Sequence, residues 1–148
     1  MIYLILPSFN EEKNLVKIFK KIDNLKIARS FVVILVDDCS SDNTSLLKLN
    51  KNKFKIIYKK HNKNLGLSIA LQSGFNIAKG KIKKNDFIIT MDSDNTHPIK
   101  IIPKMINVMK KNESDIVIAS RFLPASKVNG LSFFREYLSV FAKYIFSF

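Results

Sequence analysis

Apolar and polar positions alternate along this chain in blocks that predict strands and helices in turn. Continuous apolar runs predict buried strands at residues 2–6 and 31–36. Shorter stretches rich in apolar and β-branched residues predict three more strands, at 54–58, 87–91 and 116–119. Apolar residues between these runs recur every three or four positions, which predicts amphipathic helices. Alternating strands and helices are typical of an α/β fold, here a mainly parallel, doubly wound sheet with helices on both faces.

Three helices are predicted from their apolar faces. The first follows the end of the first strand at Pro7, and its inner face comprises Leu15, Ile18, Phe19 and Ile22. The second ends near Gly80, and its inner face comprises Leu67, Ala70, Leu71, Gly74, Phe75 and Ala78. The third begins at about Pro98, and its inner face comprises Ile102, Met105, Ile106 and Met109.

Acidic residues follow two of the predicted strands directly. The second strand continues into Asp37 and Asp38, and the fourth into Asp92 and Asp94. Ligands bind beyond the carboxyl ends of the strands in an open parallel sheet, so carboxylates there can face a ligand. Two hard oxygen ligands suit Mg²⁺ or Mn²⁺. Taken alone, the loop after the fourth strand is better explained by a polar turn in which Asp94 or Asn95 caps the next helix.

Composition and charge indicate one globular domain but do not identify its function. A chain of 148 residues, 47% hydrophobic and 25% charged, fits one globular domain with a buried core. Its net charge of +13 favours an anionic partner. Lysine is spread through most segments beside many Asn and Ile residues, as a biased base composition would also produce, so the charge is only permissive. The basic residues lack the clustered, aromatic-interleaved pattern of nucleic-acid sites, so no nucleic-acid partner is expected.

Secretion and membrane spanning are not predicted. Cys39 is the single cysteine, so an intrachain disulfide is excluded and a reducing compartment fits. The N-terminus has no basic leader and only a short apolar run, so we expect a first strand and not a signal peptide. Nor is any apolar run long enough to span a bilayer.

The last segment, residues 132–148, is rich in aromatic residues. Its apolar positions are Phe133, Phe134, Tyr137, Leu138, Phe141, Tyr144, Ile145 and Phe148. Such an amphipathic helix can lie in a membrane interface or can pack on protein, and both alternatives stay open. We expect a division at residue 125, with a nucleotide-sugar-binding domain at 1–125 followed by a linker and this helix at 126–148.

Five motifs occur in order along the chain: LPSFNE at 6–11, VDDCSSD at 36–42, NLGLSIA at 64–70 with Gly74 and Ala78, MDSD at 91–94 with His97 and Pro98, and DIVIASRF at 115–122. Together they resemble the family-two inverting glycosyltransferases of the GT-A fold. The resemblance is greatest to the polyprenyl-phosphate (dolichyl-phosphate) mannosyl- or glucosyltransferases. It implies the GT-A nucleotide-diphospho-sugar transferase fold.

The resemblance also implies a nucleotide site. The residues that would line the nucleotide are Pro7, Phe9, Glu11, Val36, Asp38 and Ser93. Phe9 would offer an aromatic wall, and Glu11 an acceptor for base or ribose. Asp38 would pair with the N–H edge of uracil or guanine. Stabilisation of the helix dipole is the structural alternative for Glu11.

The implied catalytic residues are Asp92, Asp94 and Arg121. Asp92, Ser93 and Asp94 resemble the metal-binding triplet of the family, with Asp94 the direct ligand of Mg²⁺ or Mn²⁺ and Thr96 a further oxygen. Arg121 matches the Ser-Arg-aromatic motif and would bind diphosphate or acceptor phosphate in a bidentate way. An ordinary surface ion pair is the alternative for Arg121.

The implied reaction moves a hexose from a GDP- or UDP-sugar to a polyprenyl phosphate, with inversion. An acceptor phosphate is already anionic, so no strong general base is needed. Transfer to a hydroxyl of a cell-surface glycan would need one, and 122–148 offers only Glu136. This alternative, and that of a non-catalytic nucleotide-binding remnant, stay open. The enzyme would associate peripherally with the cytoplasmic face of the membrane.

Some positions depart from the family pattern. Cys39 stands where Gly is usual, so we expect its loop to turn without a positive φ. Phe9 replaces a Tyr and loses its hydroxyl. His61 and His97 are predicted to be solvated or capping residues, because no second His or Cys lies at metal-ligand spacing. Family members continue further, so we expect a truncated chain, or one that a partner subunit completes.

Overall fold

A computed structural model describes residues 1–49 and 52–120 of the chain. Its strands are β1 (Ile2–Ser8), β2 (Phe31–Asp37), β3 (Lys55–Lys60) and β4 (Phe87–Thr90). Its helices are α1 (Glu12–Asp23), α2 (Leu67–Lys79) and α3 (Ile102–Lys111), with short 3₁₀ helices at Ala28–Ser30, Asn43–Leu49 and Ile99–Ile101. Met1–Asn107 forms one compact unit, and a second unit begins at Val108.

The four strands form one parallel sheet in the order β3-β2-β1-β4. β1 pairs with β2 from Ile2 opposite Phe31 to Ser8 opposite Asp37. All seven residues of β1 and all seven of β2 are buried, which explains their continuous apolar runs. The predicted doubly wound α/β sheet is confirmed.

Helices cover both faces of the sheet. Alternate residues of β1 face opposite sides, so Leu4 packs in one apolar cluster and Ile5 in the other. The first cluster includes all four predicted inner residues of α1: Leu15, Ile18, Phe19 and Ile22. The second includes Ala70 and Ala78 of α2.

α2 approaches the sheet through small residues. Ala70, Gly74 and Ala78 are buried, one helical turn apart, as predicted. A Cβ atom added at Gly74 would lie 2.4 Å from Ile5 Cγ2, so only glycine fits this approach. The prediction was wrong for Leu67 and Phe75, which are 56% and 44% exposed, because the small residues make the close approach, with the half-buried Leu71 packed against the same cluster.

Pro7 does not end β1, which continues to Ser8. The backbone oxygen of Pro7 points away from β2, since it accepts the Ser93 hydroxyl. The last pair between β1 and β4 is Ile5 with Thr90, so the missing N–H of Pro7 lies beyond that ladder. The ladder between β1 and β4 thus ends where Pro7 has no N–H to donate.

The fifth predicted strand, at 116–119, was wrong. Residues 115–120 have no regular structure, and Ile116 and Ile118 are 77% and 79% exposed. A strand needs a hydrogen-bonded neighbour, and the described residues of this unit contain none.

Several predictions fall on residues 121–148, which lie outside the described part. These are the division at residue 125, the role of Arg121 and the aromatic helix at 132–148. Among the helices that are described, none has the length and apolar character that crossing a bilayer requires.

Candidate active site

The loops that follow β1, β2 and β4 are tied together at the carboxyl edge of the sheet. The Ser93 hydroxyl lies 2.7 Å from the Ser8 hydroxyl and donates to the Pro7 oxygen at 2.8 Å. The Asp38 N–H donates to the Ser8 oxygen at 2.8 Å. Pro7, Asp38 and Ser93, which are far apart in the sequence, therefore lie close together at this edge.

The loop after β1 is also fixed to the loop after β2. The Asn10 N–H donates to Ser40 Oγ at 2.9 Å, and the Ser41 N–H donates to Asn10 Oδ1 at 2.8 Å. Asn10 has φ 56°, a left-handed conformation that asparagine tolerates better than most residues. Its two neighbours, Phe9 and Glu11, are held on this loop.

Phe9 and Glu11 are both accessible to a ligand. Phe9 is 49% exposed, although it is aromatic. Glu11 is half-buried, and its Oε2 accepts a hydrogen bond from Asn14 Nδ2 at 2.8 Å. The Val36 side chain is fully buried against α2, so Val36 can offer a ligand only its backbone.

Asp38 is a buried carboxylate with strong hydrogen-bond donors around it. It is 4% exposed and accepts from His61 Nδ1 at 2.6 Å, the Leu65 N–H at 3.0 Å and the Gly66 N–H at 2.7 Å. Burial would raise the pKa of Asp38, but the hydrogen bonds from His61, Leu65 and Gly66 outweigh it, so the pKa is lowered. The carboxylate therefore holds the loop between β3 and α2.

His61 extends this contact to α2, and its predicted solvation was wrong. It is 7% exposed, and its Nε2 lies 2.9 Å from Ser73 Oγ. An ionised carboxylate only accepts, so Nδ1 carries a hydrogen and donates to Asp38. The clamp Asp38–His61–Ser73 thus joins the ends of β2 and β3 to α2. His97 is exposed, as expected.

The other acids of the second motif are structural. Asp37 is fully buried and accepts from the Ser40 N–H at 2.7 Å and the Tyr58 hydroxyl at 2.6 Å. Burial and the Asp37 carboxylate together raise the pKa of Tyr58. Asp42 accepts from the Glu12 N–H at 3.0 Å, which lies at the start of α1. The sequence did not predict either of these contacts.

Asp92 and Asp94 are exposed on the loop after β4. Asp94 Oδ1 accepts both the Thr96 N–H at 2.9 Å and the Thr96 hydroxyl at 2.8 Å. Burial would raise the pKa of Asp94, but the hydrogen bonds from Thr96 outweigh it, so the pKa is lowered. Neither Asp94 nor Asn95 caps the next helix, whose N-cap is Pro98 without a side-chain hydrogen bond.

These side chains fit a divalent cation that also binds substrate. No group of three or more acidic, His or Cys side chains that could hold a metal occurs among residues 1–49 and 52–120. Mg²⁺ is usually held by one or two carboxylates together with substrate phosphates and waters. Asp92 and Asp94 supply two such carboxylates, and the lowered pKa keeps Asp94 ionised. The Thr96 hydroxyl is turned toward Asp94.

Cys39 adopts φ 69° even though it is not glycine, so the expectation of a loop without positive φ was wrong. Its Sγ lies 3.6 Å from the Asn62 oxygen. The turn needs the left-handed conformation, and the neighbouring hydrogen bonds of Asp38 and Ser40 hold it in place.

The curated proteins that resemble this chain include two transferases. A dolichol-phosphate mannosyltransferase of Pyrococcus furiosus is 36% identical over 137 residues, which are 92% of this chain and 37% of that protein. An undecaprenyl-phosphate 4-deoxy-4-formamido-L-arabinose transferase of Yersinia enterocolitica is 31% identical over 113 residues, covering 73% and 33% of the two chains. The chain thus spans little more than a third of these relatives.

Solved structures share the fold. The crystal structure of TarS from S. aureus matches with a TM-score of 0.61 and 20% identity, over 90% of this chain and 39% of that one. Its complex with UDP-GlcNAc matches with a TM-score of 0.56. The family described as Glycosyl transferase family 2 matches residues 3–144, nearly the whole chain. With this match and the tied loops at the carboxyl edge of its sheet, the chain belongs to glycosyl transferase family 2.

Proposed function

We propose that this chain binds the donor in a glycosyltransferase that moves a hexose from a GDP- or UDP-sugar to a polyprenyl phosphate with inversion. The printed names of the two curated relatives both contain a polyprenyl phosphate, dolichol phosphate in one and undecaprenyl phosphate in the other. The observation that carries the proposal is the hydrogen bonding of Ser93 to Ser8 and Pro7. It brings the acidic loop of β4 against the loop of β1.

In this proposal different described residues contact different parts of the donor. The exposed ring of Phe9 stacks on the base, and Glu11 accepts from base or ribose. Asp38 already accepts three hydrogen bonds, so its contact with the N–H edge of the base replaces or shares one of them. The nucleobase would therefore compete with the Leu65 or Gly66 N–H for this carboxylate.

Asp92 and Asp94 hold the diphosphate end of the donor in the same proposal. Their carboxylates would bind Mg²⁺ or Mn²⁺ beside the phosphates, with the Thr96 hydroxyl as a further oxygen. When bound, such a cation neutralises negative charge on a departing diphosphate. Arg121 keeps its predicted role as a partner of a phosphate, in the part of the chain that is not described.

The acceptor phosphate supplies its own nucleophile. One of its oxygens attacks the anomeric carbon while the bond from that carbon to the diphosphate breaks, and attack from the opposite side inverts the configuration. The phosphate is anionic near neutral pH, so no proton needs to be removed. A lipid acceptor also implies work at a membrane, and we propose peripheral association with its cytoplasmic face.

Donor binding by the purified chain tests the proposal. We expect a UDP- or a GDP-sugar to bind in calorimetry, and Mn²⁺ to strengthen the binding. Asp94→Ala should abolish the Mn²⁺-dependent part while circular dichroism stays unchanged, because a carboxylate that meets the cation is lost. Asp86→Ala, at the opposite edge of the sheet, is the control. Equal affinity of the unmutated chain with and without Mn²⁺ would contradict the proposed metal dependence.

A further inference from the structure

Charge is distributed very unevenly along this chain. Residues 43–85 contain eleven lysines and no aspartate, glutamate or arginine. This segment therefore carries +11 of the formal net charge of +13, and the other 105 residues, with all 12 acids, carry only +2. A biased base composition accounts for many lysines, but not for acids that are present elsewhere and missing here.

The 3₁₀ helix Asn43–Leu49 packs Leu47 into the apolar cluster of α1, and the rest of the described segment lies on one flank of the sheet. It forms the edge strand β3, then α2, and then the loop that leads to β4. Ile57 of β3 packs in the same apolar cluster as Ala70 and Ala78 of α2. We call the exposed surface of residues 52–85 the β3–α2 flank. It extends about 16 Å along the six residues of β3 alone.

The lysines of the flank are exposed, and their charges are hardly neutralised. All nine that the structure describes are exposed: Lys53, Lys55, Lys59, Lys60, Lys63, Lys79, Lys81, Lys83 and Lys84. Of these, only Lys60 comes within ion-pair distance of a carboxylate in the described part of the chain, at 3.9 Å from Asp37. Like charges at this density repel unless an anionic partner lies over them.

Two hollows gather these lysines at the two ends of β3. An open cleft of about 400 Å³ at the carboxyl end is lined by Lys59, Lys60, His61, Asn62, Lys63 and Leu65. A larger hollow of about 750 Å³ at the amino end brings Lys55 of β3 next to Lys81 and Lys83, above an apolar lining that includes Ile57. Asp86 also lines this hollow, so three lysines face one carboxylate there. Cationic groups around an apolar floor suit lipid headgroups.

Large apolar side chains stand exposed among the lysines. Leu65, Leu67 and Ile69 are 40%, 56% and 41% exposed beside the cleft at the carboxyl end. Phe75 and Ile82 are 44% and 37% exposed further along the flank. The positive charge would suit nucleic acid, but aliphatic side chains make few favourable contacts with it. A lipid surface is matched by both the charge and the apolar groups.

We propose that the β3–α2 flank is a docking surface for an anionic phospholipid bilayer. The lysines bind the headgroup layer, and Leu65, Leu67 and Ile69 enter its apolar boundary. This surface is distinct from the aromatic segment 132–148, and the proposal stands without the proposed reaction, because it concerns binding of lipid alone.

Vesicle sedimentation of the full chain tests this surface without any nucleotide. We expect binding to vesicles with one-third phosphatidylserine, and little binding to pure phosphatidylcholine or at high salt. The variant Lys59→Gln/Lys63→Gln/Lys81→Gln/Lys83→Gln should bind at least tenfold more weakly. The control Lys13→Gln/Lys17→Gln/Lys20→Gln/Lys26→Gln removes the same charge on and just after α1, and should bind within about twofold of the unmutated chain.

A fluorescent reporter tests the apolar part of the same proposal. The chain contains no tryptophan, so Leu67→Trp introduces a single probe. Its emission should shift to the blue with anionic vesicles, whereas that of Val16→Trp, on α1 and 47% exposed, should not. The proposal is overturned if both quadruple variants bind alike, if neither probe or both probes shift, or if single-stranded RNA displaces the vesicles by binding more tightly.

Discussion

Two neighbouring buried aspartates of this chain, Asp37 and Asp38, stabilise different parts of the structure. Asp37 accepts from Tyr58 and the Ser40 N–H and stabilises the turn after β2. Asp38 accepts from His61 and two N–H groups of the loop before α2. Asp37 is the last residue of β2 and Asp38 the first after it, so their side chains point in different directions and meet different partners.

The contact of His61 with Asp38 stabilises the fold. His61→Ala removes a donor to a buried carboxylate, and a hydrogen bond to a charged group contributes about 1.5–3 kcal/mol. We expect a loss of that size in the free energy of unfolding, measured in urea. His97→Ala, at an exposed histidine, should change it by less than about 0.5 kcal/mol. Similar values for the two variants would contradict the clamp.

Asp38 also makes stability depend on pH in the acid range. Its folded pKa lies below the ordinary value of 3.8, so the folded state binds the proton less readily than the unfolded state. Its contribution is therefore present above that value and is lost as the pH falls through the lower folded pKa. The difference in unfolding free energy between the unmutated chain and Asp38→Asn should shrink below about pH 4. A constant difference down to about pH 2.5 would contradict this sign.

At the scale of elements, the contact of α2 with β1 decides how the helix lies. Small residues at three successive turns bring the helix backbone against the sheet, and Leu67, Ile69 and Phe75 are left exposed. Periodicity alone treats Ala70 and Phe75 as equivalent apolar positions. Only the distance between helix and sheet distinguishes them, because a large side chain does not fit there.

Gly74 is the closest point of this contact. Gly74→Ala places a methyl group 2.4 Å from Ile5 Cγ2, and such overpacking costs about 1–3 kcal/mol. We expect a lower midpoint of thermal or urea unfolding. Gly80→Ala is the matched control, since its Cβ would meet only backbone oxygens at 3.8 Å or more and its φ is −74°. The contact is refuted if Gly74→Ala is as stable as Gly80→Ala.

For the whole molecule, the uneven distribution of charge affects the free energy of unfolding more than the net charge does. The described lysines of the β3–α2 flank have few carboxylates near them, so their mutual repulsion opposes folding, and salt screens it. The free energy of unfolding should rise by up to about 1 kcal/mol between about 20 and 300 mM NaCl. The flank variant with four Gln substitutions should show a smaller rise than the matched α1 variant. Equal salt dependence of these two variants would contradict the repulsion.

The sequence by itself determined the order of strands and helices and the acidic loops after β2 and β4, because local periodicity and turn residues carry that information. It did not determine which hydrogen-bond partners each acidic residue has. Asp38 meets His61 and Gly66 from 23 and 28 residues away, and Ser93 meets Pro7 from 86 away. These partners meet only because parallel strands bring their carboxyl ends to one edge of the sheet. The tertiary structure therefore determined the Asp38–His61–Ser73 clamp, the hydrogen bonds between the loops after β1, β2 and β4, and the grouping of lysines on the β3–α2 flank.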